Sequence, residues 1–134
     1  MEKNVCADIV KRPRRNRRTD ALRRMMRETE IRPSDMILPL FVTEASEKEP
    51  IPSMPGCFRL DRGTLVEEAM EAYRMGIPAV ALFPVIEDAK KDSKATECLN
   101  PDGLLQCTIK DLKSAVPELM VVTDVAMDPY SSDG

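Results

Sequence analysis

The chain has 134 residues, 20 basic against 23 acidic side chains, a net charge of −3 and 43% hydrophobic content, which excludes a disordered or collagen-like chain. That length suits one ordinary domain and falls short of a complete (β/α)8 barrel, which needs about 250 residues. No apolar run approaches the ~20 residues of a membrane span, and the N-terminus has neither an apolar h-region nor a small-residue cleavage site, so the composition predicts a cytoplasmic protein with no membrane contact.

Charge is segregated: residues 1–32 carry 11 basic and 5 acidic side chains, while residues 33–134 carry 9 and 18. Residues 1–18 read as an extended basic arm, ending in the run from Lys11 to Arg18. Such a run can neutralise phosphates, but no aromatic residues interleave it, which argues against a nucleic-acid platform. An arm that packs on a neighbouring subunit is the preferred reading, with a solvated tail as its plain alternative. Thr19 or Asp20 caps a short helix with Leu22, Met25, Met26 and Thr29 on one face, and Pro33 ends it.

Residues 36–43 are the first strand, which Pro39 makes irregular or confines to an edge. Residues 44–61 are a long loop with a turn at Pro55 and Gly56. Thr64 and Glu67 form a capping box, followed by an apolar stripe of Leu65, Val66, Ala69, Met70 and Tyr73, with Gly76 just past the helix end. Residues 77–85 are a second strand, apolar on both faces as suits a buried parallel strand. A charged loop over 86–100 leads to a helix that starts at Asn100, Pro101 and Asp102, with a stripe of Leu105, Ile109, Leu112 and Val116. Pro117 stops it, and residues 119–127 are the third strand. The alternation β, α, β, α, β predicts an α/β protein with parallel strands and right-handed crossovers.

Carboxylates at the C-terminal end of a strand are where such a sheet places its chemistry. Asp124 interrupts an apolar strand, and burying a carboxylate without a partner is costly. If the strand persists, alternation puts Asp124, Ala126 and Asp128 on one face, where carboxylates can bind a hard cation, move a proton or hold a substrate amine. The plain alternative is a strand-end cap. No dinucleotide or P-loop glycine pattern is present, so no organic cofactor is expected. Cys6, Cys57, Cys98 and Cys107 include no Cys-x-x-Cys pair and the chain has no histidine, which makes a closed zinc site improbable and reduced thiols the better reading.

At these residues the chain resembles the porphobilinogen synthase (5-aminolevulinate dehydratase) family. The resemblance runs over about residues 12–134 in six ordered blocks: RPRRNRR from Arg12, LPLFV from Leu38, SMPG from Ser53, LFPV from Leu82, NPDGL from Asn100 and DVAMDPY from Asp124. Each block is weak alone, and their shared order is specific. Ala95 and Cys98 depart from it, standing where Gly and Ala are usual.

The resemblance implies the N-terminal part of a (β/α)8 TIM barrel, about three strands of eight, over residues 19–134 behind the arm and short helix. It implies a lyase that condenses two 5-aminolevulinate molecules into porphobilinogen with loss of water, in heme and chlorophyll biosynthesis. It also implies a homo-oligomer, an octamer, assembled through the arm. The family's imine-forming lysines lie on later strands, and no lysine here falls in a predicted strand. The chain is therefore expected to be an inactive N-terminal fragment. One branch of the family carries three cysteines at an active-site zinc. Ala126 and Asp128 occupy the first two of those positions, so the resemblance points to the aspartate-rich branch, with magnesium rather than zinc in the whole protein. Asp124 and Asp128 are then supporting active-site carboxylates, with Asp128 the weaker candidate for a metal. A non-catalytic half-barrel binding module and a basic-arm nucleic-acid binder are the competing readings.

Overall fold

The computed structural model describes residues 14–133, so the first 13 residues of the predicted arm lie outside the described residues. These fall into two units, one ending at Ile31 and the other beginning at Arg32. In the first, a 3-10 turn at Arg15–Arg17 precedes helix α1, Asp20–Met25. Thr19 caps α1 as expected, its hydroxyl oxygen accepting from the Leu22 amide at 3.2 Å. The helix is shorter than predicted. It ends at Met25, so Thr29 never joins its face, and none of its residues is buried. Six residues bury too little apolar surface to extend a helix on propensity alone.

The second unit is built on a five-stranded sheet in the order β2-β3-β1-β4-β5. Strand β1, Ile37–Thr43, lies in its middle and pairs in parallel with β4, Ala79–Val85, along its whole length. Pro39 is tolerated because β3, Phe58–Leu60, meets β1 only at Phe41 and Val42. The first half of β1 thus has one neighbour, and the missing amide costs no ladder bond on the open side. Two strands in the predicted loop were not legible: β2, Glu49–Pro50, and β3, which pair antiparallel across the turn at Gly56. Both are too short to show a period of two. Gly56 has φ +86°, the left-handed conformation that the turn requires.

Helix α2, Arg62–Arg74, begins two residues before its predicted cap, Thr64. Asp61 is the true N-cap, accepting from the amides of Gly63 and Thr64 at 2.9 and 3.1 Å. Thr64 donates its hydroxyl to the same carboxylate instead of capping the helix itself. At the other end Gly76, φ +92°, closes a Schellman turn, with the Ile77 amide on the Ala72 carbonyl and the Gly76 amide on that of Tyr73. Helix α3, Leu104–Ala115, starts later than predicted, with Gly103 at its N-cap. Asn100 spends its side chain on the Asp102 amide and its carbonyl on Gly103, making a turn out of the segment read as a helix start.

Strand β5, Met120–Thr123, completes a parallel set of β1, β4 and β5. One face of the sheet carries Leu40, Val42, Val80 and Leu82, in one core with Leu65 and Ala69 of α2 and Leu104 and Leu112 of α3. The α3 stripe is rotated from the predicted one, because Thr108 is buried while Leu105 and Ile109 are only partly so. Thr108 satisfies its hydroxyl by donating to the Leu104 carbonyl at 2.7 Å. No helix is long and apolar enough to cross a membrane among the described residues.

Candidate active site

Three parallel strands put their carboxyl ends at one end of the sheet: Thr43 of β1, Val85 of β4 and Thr123 of β5. The predicted carboxylates follow the last of these. Strand β5 stops at Thr123, so Asp124 sits just beyond it and Asp128 opens a 3-10 turn, Asp128–Tyr130. The strand alternation invoked for them therefore does not apply. Asp124, Ala126 and Asp128 nevertheless line one cleft of about 260 Å³, with Phe83, Pro84, Leu105, Pro129 and Tyr130 as its other walls. Both carboxylates are exposed, so the cost of burial is not what marks them.

The cleft joins an apolar wall to two carboxylates, an arrangement suited to a small cationic or amine-bearing molecule. Tyr130 is buried, and loss of solvent pushes its hydroxyl above the ordinary tyrosine range. Its proton stays on at neutral pH. Phe83, Pro84 and Tyr130 were not singled out as site residues from the sequence, although two of the ordered blocks contain them, and Leu105 was read only as part of a helix stripe.

A second, wider hollow of about 840 Å³ lies at the same end, between the starts of α2 and α3. Its charges are already matched. Lys90 Nζ lies 2.5 and 2.6 Å from the two Glu44 carboxylate oxygens. Glu44 therefore holds the Lys90 ammonium above its usual range. Arg62 donates twice to Asp111 Oδ2, from Nε at 2.8 Å and from Nη2. Size alone would favour this hollow, but its cations are paired with internal partners, whereas among the described residues the two carboxylates of the smaller cleft pair with no cation.

The loop after β4 and the turn after β5 are joined. The Asp92 amide donates to the Tyr130 carbonyl at 3.4 Å, and the Ser132 amide donates to the Asp92 carbonyl at 3.1 Å. Asp92 Oδ1 also accepts from the amides of Lys94 and Thr96, at 2.9 and 3.0 Å. These amides, Thr96 foremost, hold the Asp92 carboxyl below its usual range. Cys98 and Met127 add a sulfur contact of 3.8 Å. Ala95, within this loop, is buried with φ +52°, a left-handed conformation that explains why glycine is usual at that place.

Among the described residues no three His, Cys, Asp or Glu side chains are grouped to hold a metal ion. The donor set of the cleft, two carboxylates, does not by itself make a metal centre. No described lysine lies in a strand: Lys48, Lys91 and Lys94 are in loops, Lys90 ends a 3-10 turn, and Lys110 and Lys113 are on α3.

The family model for delta-aminolevulinic acid dehydratase matches residues 10–134. The chloroplastic delta-aminolevulinic acid dehydratase of Physcomitrium patens is 52% identical over 124 residues, covering 92% of this chain and 29% of the relative. That of Selaginella martensii is 50% identical over 127 residues, covering 94% of this chain and 30% of the relative. The crystal structure of the Toxoplasma gondii ME49 enzyme, in complex with its reaction product porphobilinogen, superposes with a TM-score of 0.86 and 48% identity over 91% of this chain and 35% of that one. The chain thus spans about 30% of the length of the curated relatives it matches. Their chloroplastic naming overturns the cytoplasmic expectation. Composition and core patterning report on folding, while a compartment is set by separately read address signals.

Proposed function

Since the chain belongs to the delta-aminolevulinic acid dehydratase family, we propose that it supplies one part of an active site that condenses two 5-aminolevulinate molecules into porphobilinogen. The observation that carries this reading is the cleft holding Asp124 and Asp128 at the carboxyl end of the parallel strands. The substrate bears an ammonium group and a carbonyl. A carboxylate at Asp128 can hold the ammonium, while Asp124, nearest the strand end, can accept or return a proton and steady developing positive charge. Phe83, Leu105 and Tyr130 exclude water on the apolar side and so strengthen both interactions.

We infer that the imine-forming lysines belong to sequence outside this chain, because a nucleophilic lysine needs a desolvated pocket and the described ones are in loops or on α3. Magnesium is the metal we propose for the whole protein, because carboxylate oxygens favour a hard cation over zinc. No step here depends on that ion. The basic arm we assign to contact between subunits of a homo-oligomer, its guanidiniums pairing with carboxylates, which outnumber basic groups by 18 to 9 over residues 33–134. The named relatives make the plastid the compartment we propose.

A chimaera tests the reading. Residues 10–134 replace the matched third of the Physcomitrium patens relative, and porphobilinogen formation is followed. The chimaera should turn over, and Asp124→Asn should lower kcat by about 10²-fold, as for loss of a positioned acid–base or charged group. The 134-residue chain alone should form no product and no borohydride-trapped lysine adduct. A folded, assembled chimaera without activity would overturn the proposal.

A further inference from the structure

We infer that Asp92 is a positioning residue, which bonds the loop after β4 to the turn carrying Asp128 and so keeps that carboxylate facing the cleft. The inference rests on the reading of the cleft as a substrate site. Asp92 makes bonds through its backbone amide, its carbonyl and its carboxylate. The amide and carbonyl reach across to Tyr130 and Ser132, in a parallel bridge with Ser131. Asp128 lies two residues before one of these partners and four before the other. Tyr130 is buried, which fixes the middle of the turn, while the bond from Ser132 fixes its far end.

The side chain matters because it sets the shape from which that carbonyl points. Oδ1 gathers the amides of Lys94 and Thr96, and the Ala95 amide returns to the Asp92 carbonyl at 3.1 Å. The loop is thereby wound tightly enough to force Ala95 into its left-handed conformation. Without the carboxylate, the amides of Lys94 and Thr96 turn to water, which both exposed residues can reach. The carbonyl of Asp92 then loses its fixed direction, and the Ser132 bond weakens. Asp92 is itself exposed and contributes nothing to the core, so its removal acts on this junction and spares the fold.

The test uses the chimaera with Asp92→Ala and Asp92→Asn. Asparagine keeps an oxygen that accepts from both amides, and alanine has none. The alanine variant should raise KM for 5-aminolevulinate about fivefold and speed hydrogen exchange at the Ser132 amide by a similar factor, the size expected for losing a local cap of this kind. Asparagine should restore both. Loss of folded protein would lower kcat and leave KM unchanged, so the KM shift separates positioning from plain destabilisation. Unchanged KM and unchanged Ser132 exchange in the alanine variant would overturn the inference. So would an asparagine variant as impaired as alanine, which would assign the effect to charge near the cleft. If the parent chimaera proves inactive, the proposed function falls while the exchange data still decide on the junction.

Discussion

The two faces of the sheet share strands and differ in everything that follows from burial. On the face turned to α2 and α3, Val80 is 0% and Leu82 1% exposed. On the other, Met120 is 61%, Phe83 39% and Val122 38% exposed, with Ile37 beside them. The side chains are equally apolar on both. A strand that is hydrophobic all along its length states that both faces are to be covered, and the described residues cover only one. The open face would be an aggregation hazard for the isolated chain. Read from sequence alone, Val80, Leu82 and Val122 share an inner face that lacks its opposite wall. The structure corrects this: Val80 and Leu82 sit under the helices, and Val122 is the member of that set which lies open.

Leu82→Ala against Val122→Ala is the sharpest test of the difference. The first removes a fully enclosed side chain and should cost about 3 kcal/mol in denaturant unfolding, while the second should cost under ~1 kcal/mol. Equal losses would mean that the open face is covered in solution. In the chimaera of the Physcomitrium relative the Val122 loss should grow, since the remaining chain would then wall that face.

The covered face depends next on how well its helices are anchored. Asp61→Ala removes the cap of α2 and should cost about 1 kcal/mol. The Thr64 hydroxyl and amide hold the Asp61 carboxyl below its ordinary 3.8. A carboxyl lowered by folding adds stability that is complete above pH 3.8 and is lost as pH falls through its folded-state value. The stability gap between the parent chain and Asp61→Ala should therefore narrow only below about pH 4, read by unfolding at stepped pH.

The smallest effect belongs to Ala95, a core residue of the covered side held at φ +52°. Ala95→Gly relieves a left-handed strain of about 1 kcal/mol. It loses a buried methyl of about 0.8 kcal/mol and gains unfolded-state freedom of similar size. The net change should lie within ~1 kcal/mol of zero. Ala95→Val should be clearly worse, because a branched side chain resists that backbone conformation. A valine variant as stable as the parent would show that the loop is not held left-handed.

The strand and helix order, carried by repeating apolar patterns, was legible in advance, as were the end signals at Thr19 and Gly76. What escaped were features set by their neighbours. β2 and β3 are held by their neighbours, and Asp61 displaces Thr64 as cap because its carboxylate accepts from two amides of the first turn. The walls of the cleft come from β4, α3 and the segment after β5, which are distant in the chain.

The sequence by itself determined the alternation of strands and helices, the family resemblance and the residue types at the strand ends, because hydrophobic period and ordered motifs are local properties. Only the tertiary structure decided which sheet face is covered, that β5 stops before Asp124, and that Asp92 ties two loops together. Each of these depends on which backbone groups find partners across the fold, and no local pattern encodes a partner more than thirty positions away.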